Sequence, residues 1–148
     1  TDEVNCFLGM RKAVTAVGAT GVVSKGGVDH VVATYDYGDG TLVMAEGGWA
    51  AAKGVPFEMS FTIVCEKATL KLDASGYRVY PVKGKAITPK LDVKAGPTGW
   101  HQELAYFVNC VAKGVKPDKY QTLDSVADTM KLVFAEEKSV KTHKPVRV

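Results

Sequence analysis

Three histidines, three cysteines and a tryptophan at the end of an alternating run are the residues of this 148-residue chain whose chemistry is worth locating first. His30, His101 and His143 are too scattered to make a local metal-ligand pair of the spacing zinc sites use. Cys6, Cys65 and Cys110 are odd in number, far apart and without a Cys-x-x-Cys pair, which fits reduced, buried thiols in a cytoplasmic protein better than a disulfide scaffold. Cys65, on the apolar side of its run, reads as an inert buried thiol. Trp49 leads into the loop 50–56, where an indole can stack on a sugar or polyol ring; core or interface packing is the structural use of the same residue. His101 falls in the first turn of a helix. There it offers a hydrogen-bond donor to a substrate, or is simply an exposed imidazole. No dinucleotide fingerprint is present: Gly38 and Gly40 sit in a hairpin turn, with Val43 where a third glycine would stand. The phosphate-binding, zinc-protease and serine-hydrolase signatures are missing as well.

The elements that must carry these residues follow from periodicity. Asp2–Gly9 reads as the end of a helix, with Val4, Phe7 and Leu8 on one face and Gly9 in the left-handed terminating position. From Lys12 to about Val93 the period is two. Strands are expected at Ala13–Ala19, His30–Tyr37 and Thr41–Trp49, the last two joined by the Gly38–Asp39–Gly40 turn. Phe57–Glu66 alternates most clearly, with Phe57, Met59, Phe61, Ile63 and Cys65 on one side. Ala68–Asp73 and Tyr77–Val82 follow, then a weak edge strand between Ala86 and Val93 that contains Pro89. Two helices close the chain. The first is entered through Pro97–Thr98–Gly99 and carries an apolar stripe of Trp100, Leu104, Phe107 and Val111; Lys113–Gly114 ends it. The second follows Thr122, with Leu123, Val126, Ala127, Met130, Val133 and Phe134 expected to be buried; Pro145 ends it before a short extended tail. The fold class is therefore α+β: an open, mostly antiparallel sheet of about six strands with two C-terminal helices on one face. The opposite face, with Val32, Thr34, Met44, Ser60, Thr62 and Val64, is too apolar to be merely wet, and a partner chain is its natural cover.

Composition excludes other classes. Hydrophobic residues are 46% and charged residues 24%, ordinary for a single globular domain. Nineteen basic against sixteen acidic residues leave +3, spread along the chain with no basic block, so nucleic acid is not an expected partner. No apolar run approaches the ~20 residues of a membrane span, and no signal peptide opens the chain. The start at Thr1 reads as a processed or excised piece of something longer.

Taken in order, four segments resemble the C-terminal domain of the Gfo/Idh/MocA family of NAD(P)-dependent oxidoreductases. Thr1–Gly9 is similar to the helix after the family's His-Asp-x-Asp motif. Asp29–Trp49 (DHVVATYDYGDGTLVMAEGGW) is similar to its hairpin, and Phe57–Asp73 (FEMSFTIVCEKATLKLD) to the strand pair that follows. Glu103–Val148 is similar to the closing helices and tail. The resemblance implies one domain over residues 1–148 that walls a substrate pocket and assembles into a homo-oligomer, a dimer or larger, through its open sheet. The nucleotide-binding domain would lie outside it.

The resemblance also implies a parent enzyme that oxidises or reduces sugars, cyclitols or related small molecules with NAD or NADP. The loop after Trp49 would touch the substrate, which makes Trp49, Lys53 and Phe57 the candidate contacts, with His101 a fourth. Lys53 would donate to a hydroxyl or counter an acidic group. The family's catalytic lysine belongs to the other domain, its histidine would fall just before Thr1, and Asp2 matches the motif's later acidic position. Glu66–Lys67 is not the Glu-Lys-Pro motif, since no proline follows. The chain by itself is thus expected to bind no cofactor and to catalyse nothing. The alternative is a stand-alone dimeric module that binds a small molecule or a protein.

Overall fold

A computed structural model describes residues 2–23, 25–90, 99–117 and 122–148. They form α1 (Asp2–Leu8), β1 (Ala13–Thr20), β2 (Val28–Asp36), β3 (Leu42–Gly48), β4 (Phe61–Val64), β5 (Ala68–Asp73), β6 (Gly76–Pro81), α2 (Gly99–Lys113), α3 (Leu123–Thr142) and β7 (Val146–Arg147). Every strand pairing among the described residues is antiparallel. The architecture is α+β, and the described residues hold seven strands, in a four-stranded sheet β3-β2-β1-β7 and a three-stranded sheet β4-β5-β6. The seventh strand is the C-terminal tail: Val146 and Arg147 pair with Val14 and Ala13. The Pro97–Thr98 entry to the first long helix and the end of the weak strand near Val93 lie outside the described residues.

Two compact units divide the chain, residues 1–52 with 106–148, and residues 53–105. In the first, α3 packs along β1. Val14 and Ala16 of β1, Ala33 and Tyr35 of β2, and Leu132, Ala135 and Val140 of α3 form the core. These strand positions share one face because Val14 pairs with Tyr35 and Ala16 with Ala33. The β2–β3 hairpin is closed by the expected turn, in which Gly38 and Gly40 both take positive φ. The Asp36 and Asp39 carboxylates accept the Gly38 and Thr41 N–H groups at 2.7 and 2.9 Å. The Thr41 N–H is the main cause holding the Asp39 carboxyl below its usual range.

The caps match the sequence. Gly9, at φ 69°, returns its N–H to the Asn5 carbonyl. The Thr122 hydroxyl accepts the Ser125 N–H while the Ser125 hydroxyl accepts the Thr122 N–H, a reciprocal cap on α3.

The buried face of α3 is a correction. The stripe Leu123–Val126–Met130–Val133–Phe134 faces outward and is exposed, while Leu132, Ala135, Glu136, Ser139 and Val140 are buried. Both rows have helical spacing, so periodicity alone does not choose between them. The buried row wins because its polar members have partners in the sheet. Tyr35 donates its hydroxyl proton to Glu136 at 2.7 Å, and the Ser139 hydroxyl accepts the Ala16 N–H at 2.9 Å. The α2 stripe is likewise exposed at Trp100, Leu104, Phe107 and Val111, and Cys110 is the buried residue of that helix.

In the second unit, Phe61, Leu72 and Tyr77 line up across the sheet, as do Ile63, Leu70 and Val79, giving one half-buried apolar face. Thr62 and Val64 point the other way and are exposed. The expected strand Phe57–Glu66 shortens to Phe61–Val64. Phe61 pairs with Leu72, so residues before Ser60 would need partners beyond Asp73, where the chain already turns into β6. Ile87 adds a single bridge to Val79, the remnant of the weak edge strand. Cys65 is also corrected: it is exposed, just past the end of β4 at the tight turn that its N–H closes on the Ala68 carbonyl at 2.9 Å. Cys6 is exposed as well, and only Cys110 is buried among the three free thiols.

Candidate functional site

Each candidate contact residue projects into solvent. Trp49, 79% exposed, stands immediately after β3, and Phe57 is 72% exposed. Lys53 and His101 are exposed too. Trp49 belongs to the first unit; Lys53, Phe57 and His101 belong to the second. Within that second unit Lys53 and Phe57 stand on one irregular segment that precedes β4, and His101 stands in the first turn of α2.

The surroundings of Trp49 are the best defined. β3 ends where His30 faces Gly48 across the ladder, and one step further the Trp49 N–H donates to the Asp29 carbonyl at 2.8 Å. Gly48 leaves room for the His30 ring, which a Cβ at that position would strike. The ring is held on its other side by Glu46, whose Oε1 lies 2.9 Å from His30 Nε2. Asp29 is buried, and its carboxylate accepts the backbone N–H groups of Val22 at 2.7 Å and Val23 at 3.1 Å. Glycine at 48, the His30–Glu46 pair and the Asp29 clamp together fix the backbone on which the indole is presented.

Sequence reasoning missed Asp29, Glu46 and the polar centre under α3. The hairpin register could have found Glu46: with the turn centred on Asp39, His30 pairs with Gly48 and Val32 with Glu46, so His30 and Glu46 are diagonal neighbours on one face. Nothing local marks Asp29, since its partners are backbone groups. In the polar centre, the buried Arg11 guanidinium lies 4.4 Å from the Tyr35 ring centroid and 5.9 Å from that of Tyr37. It also donates to Asn5 Oδ1 at 3.3 Å. Burial is the main cause raising the Tyr37 hydroxyl above its ordinary value, so it stays protonated.

Among the described residues no group of three histidine, cysteine, aspartate or glutamate side chains is placed to hold a metal ion. No described helix is long and apolar enough to cross a membrane. Among the described residues every strand pairing is antiparallel, so the parallel strand–turn–helix unit of the dinucleotide-binding fold is not among them.

No protein-family model matches the chain, and no curated protein matches it. Solved structures do. An NAD-binding oxidoreductase from Klebsiella pneumoniae superposes with a TM-score of 0.76 at 17% identity, over 99% of this chain and 47% of its own. The WlbA dehydrogenase from Bordetella pertussis, in complex with NADH and UDP-GlcNAcA, gives 0.72 at 17% identity, over 99% and 43%. Levoglucosan dehydrogenase, in complex with NADH and levoglucosan, gives 0.69 at 18% identity, over 99% and 47%. The chain spans less than half the length of these structures, and at such identities the likeness is one of fold.

Proposed function

We propose that this chain, which has the fold of Gfo/Idh/MocA-type NAD-binding oxidoreductases, is the C-terminal, substrate-side and assembly domain of such an enzyme. The parent enzyme is an NAD- or NADP-dependent dehydrogenase of sugars, cyclitols or related polyhydroxylated small molecules. The observation that carries this reading is the match of nearly the whole chain to under half of each oxidoreductase. Levoglucosan and UDP-GlcNAcA, the sugar compounds bound by two of those proteins, support the substrate class.

A nicotinamide cofactor, held by a separate nucleotide-binding domain, would supply the hydride chemistry, and the base that receives the hydroxyl proton would come from that domain or its junction. This chain's contribution is binding and orientation. Trp49 offers an aromatic face to the ring, Lys53 a donor to a hydroxyl or acidic group, Phe57 an apolar wall and His101 a further donor. The test is calorimetric titration with NAD and NADP. The chain alone is expected to take up neither, while the full-length protein binds one and reduces it in the presence of a sugar or cyclitol. Saturable cofactor binding by the chain alone would overturn the division of labour. Tight binding of a polyol by the chain alone, with no dehydrogenase activity in the full-length protein, would favour a stand-alone binding module.

The outward face of the four-stranded sheet supports assembly with a second copy. Thr15, Val17, Val32, Thr34 and Met44 share it, and Val17 and Met44 are 62% and 68% exposed. Sedimentation is expected to give a dimer or larger species, weakened by Met44→Lys; a monomer at high concentration would refute it. The unpaired thiols of Cys6, Cys65 and Cys110 fit a cytoplasmic setting.

A further inference from the structure

We infer that Asp29 is a positioning residue for Trp49: it couples the backbone of Val22 and Val23 to that of Trp49, so that the two valines and the indole act as one wall of the sugar site. The inference rests on the reading of Trp49 given above. Asp29 is 4% exposed and works in two directions at once. Its side chain accepts the Val22 and Val23 N–H groups at 2.7 and 3.1 Å, a charge-assisted pair. Its own backbone carbonyl, at 2.8 Å, receives the Trp49 N–H just past the last rung of the β2–β3 ladder.

The geometry has a consequence for recognition. Val22 and Val23, 63% and 66% exposed, are apolar side chains with nothing of their own to hold them, and Trp49 stands beyond the end of its strand. Each would sample several orientations if its backbone were free, and a sugar that stacks on the indole would have to order the ring on binding. Asp29 fixes both backbones, that of the valines through its carboxylate and that of Trp49 through its main-chain carbonyl, and so lowers that cost beforehand. The substrate class this favours is a pyranose or cyclitol presenting an apolar C–H face to the indole, with its hydroxyls turned away from the valines.

The test uses the full-length protein with Trp100→Phe, so that Trp49 is the chain's own reporter. Asp29→Ala is expected to speed amide exchange at Val22, Val23 and Trp49 about tenfold, leaving Val14 and Ala33 in the core unchanged. It should also shorten the nanosecond anisotropy decay of the Trp49 indole. Asp29→Asn keeps an acceptor oxygen and is expected to retain most of both signals, which separates a released loop from a misfolded chain. Unchanged exchange and anisotropy at Trp49 with the loop amides released would overturn the coupling.

The second arm measures the affinity of the NADH-loaded protein for levoglucosan as the probe. Trp49→Ala and Asp29→Ala should each weaken it about tenfold, and the double variant no further. If Trp49→Ala has no effect, or levoglucosan does not bind, the sugar-site reading fails while exchange and anisotropy still decide the coupling. If Trp49→Ala weakens binding and Asp29→Ala does not, the positioning inference fails alone.

Discussion

Ser139→Ala is expected to destabilise the unit formed by residues 1–52 and 106–148 by about 2–3 kcal/mol, far more than its size suggests. The register of β1 with β7 explains why. Ala13 pairs with Arg147 and Val14 with Val146, so Ala16 would next meet Lys144 if the ladder continued. It does not continue, because Pro145 precedes β7 and α3 has only just ended, with His143 in the left-handed conformation. The Ser139 hydroxyl fills the gap, accepting the Ala16 N–H at 2.9 Å and donating to the Lys144 carbonyl at 2.7 Å. One side chain thus replaces the missing rung and joins the helix end to the central strand.

Alanine removes both bonds. It leaves the Ala16 N–H in a site where Ala16 is 2% and Ser139 0% exposed, too deep for water to compensate readily. For a unit of this size the loss corresponds to a fall in Tm of roughly 10–15 °C. Thr142→Ala is the control, since its hydroxyl bonds the Lys138 carbonyl at the exposed end of the same helix; its expected cost is under about 0.5 kcal/mol. Urea unfolding of the two variants decides the matter, and equal midpoints would remove Ser139 from this role.

The same serine shows where sequence reasoning reached its limit. The features that depend on neighbours in the chain were legible: the Gly38–Asp39–Gly40 hairpin, the left-handed Gly9, the Thr122 cap and the alternation of Phe61 and Ile63. Each is decided by φ preference or by a side chain meeting backbone a few residues away. The buried face of α3 was not legible. Glu136 and Ser139 read as surface residues until Tyr35 and Ala16, 101 and 123 residues away, are brought against them. Similarly, Phe57 and Met59 continue the pattern of a strand, but a strand ends where its partner turns, and that partner's end is fixed at Asp73–Gly76. The candidate site divides in the same way. Trp49 is marked by its position after an alternating run, whereas Asp29 works through backbone groups, which carry no signature of residue type.

On the proposed function, Trp49→Ala in the full-length protein should raise KM for a sugar or cyclitol substrate roughly 10–100-fold while changing kcat little, the pattern of a group that holds the substrate without entering the chemistry. The structure makes this variant an unusually clean probe. Trp49 is 79% exposed, so truncation opens no cavity in the unit, and stability should stay within about 0.5 kcal/mol. Its backbone N–H, which bonds the Asp29 carbonyl, survives in alanine, so the end of β3 keeps its geometry. Trp49→Phe keeps an aromatic face and should recover most of the loss, whereas Trp49→Leu restores apolar area without the ring and should not. Phe57→Ala, also exposed, is expected to raise KM by a smaller factor because it offers an apolar wall with a smaller ring. Steady-state kinetics at saturating cofactor separate the cases. A KM that is the same for Trp49, Ala and Phe would leave the indole as an assembly contact, and sedimentation of the alanine variant would then show a shift toward monomer.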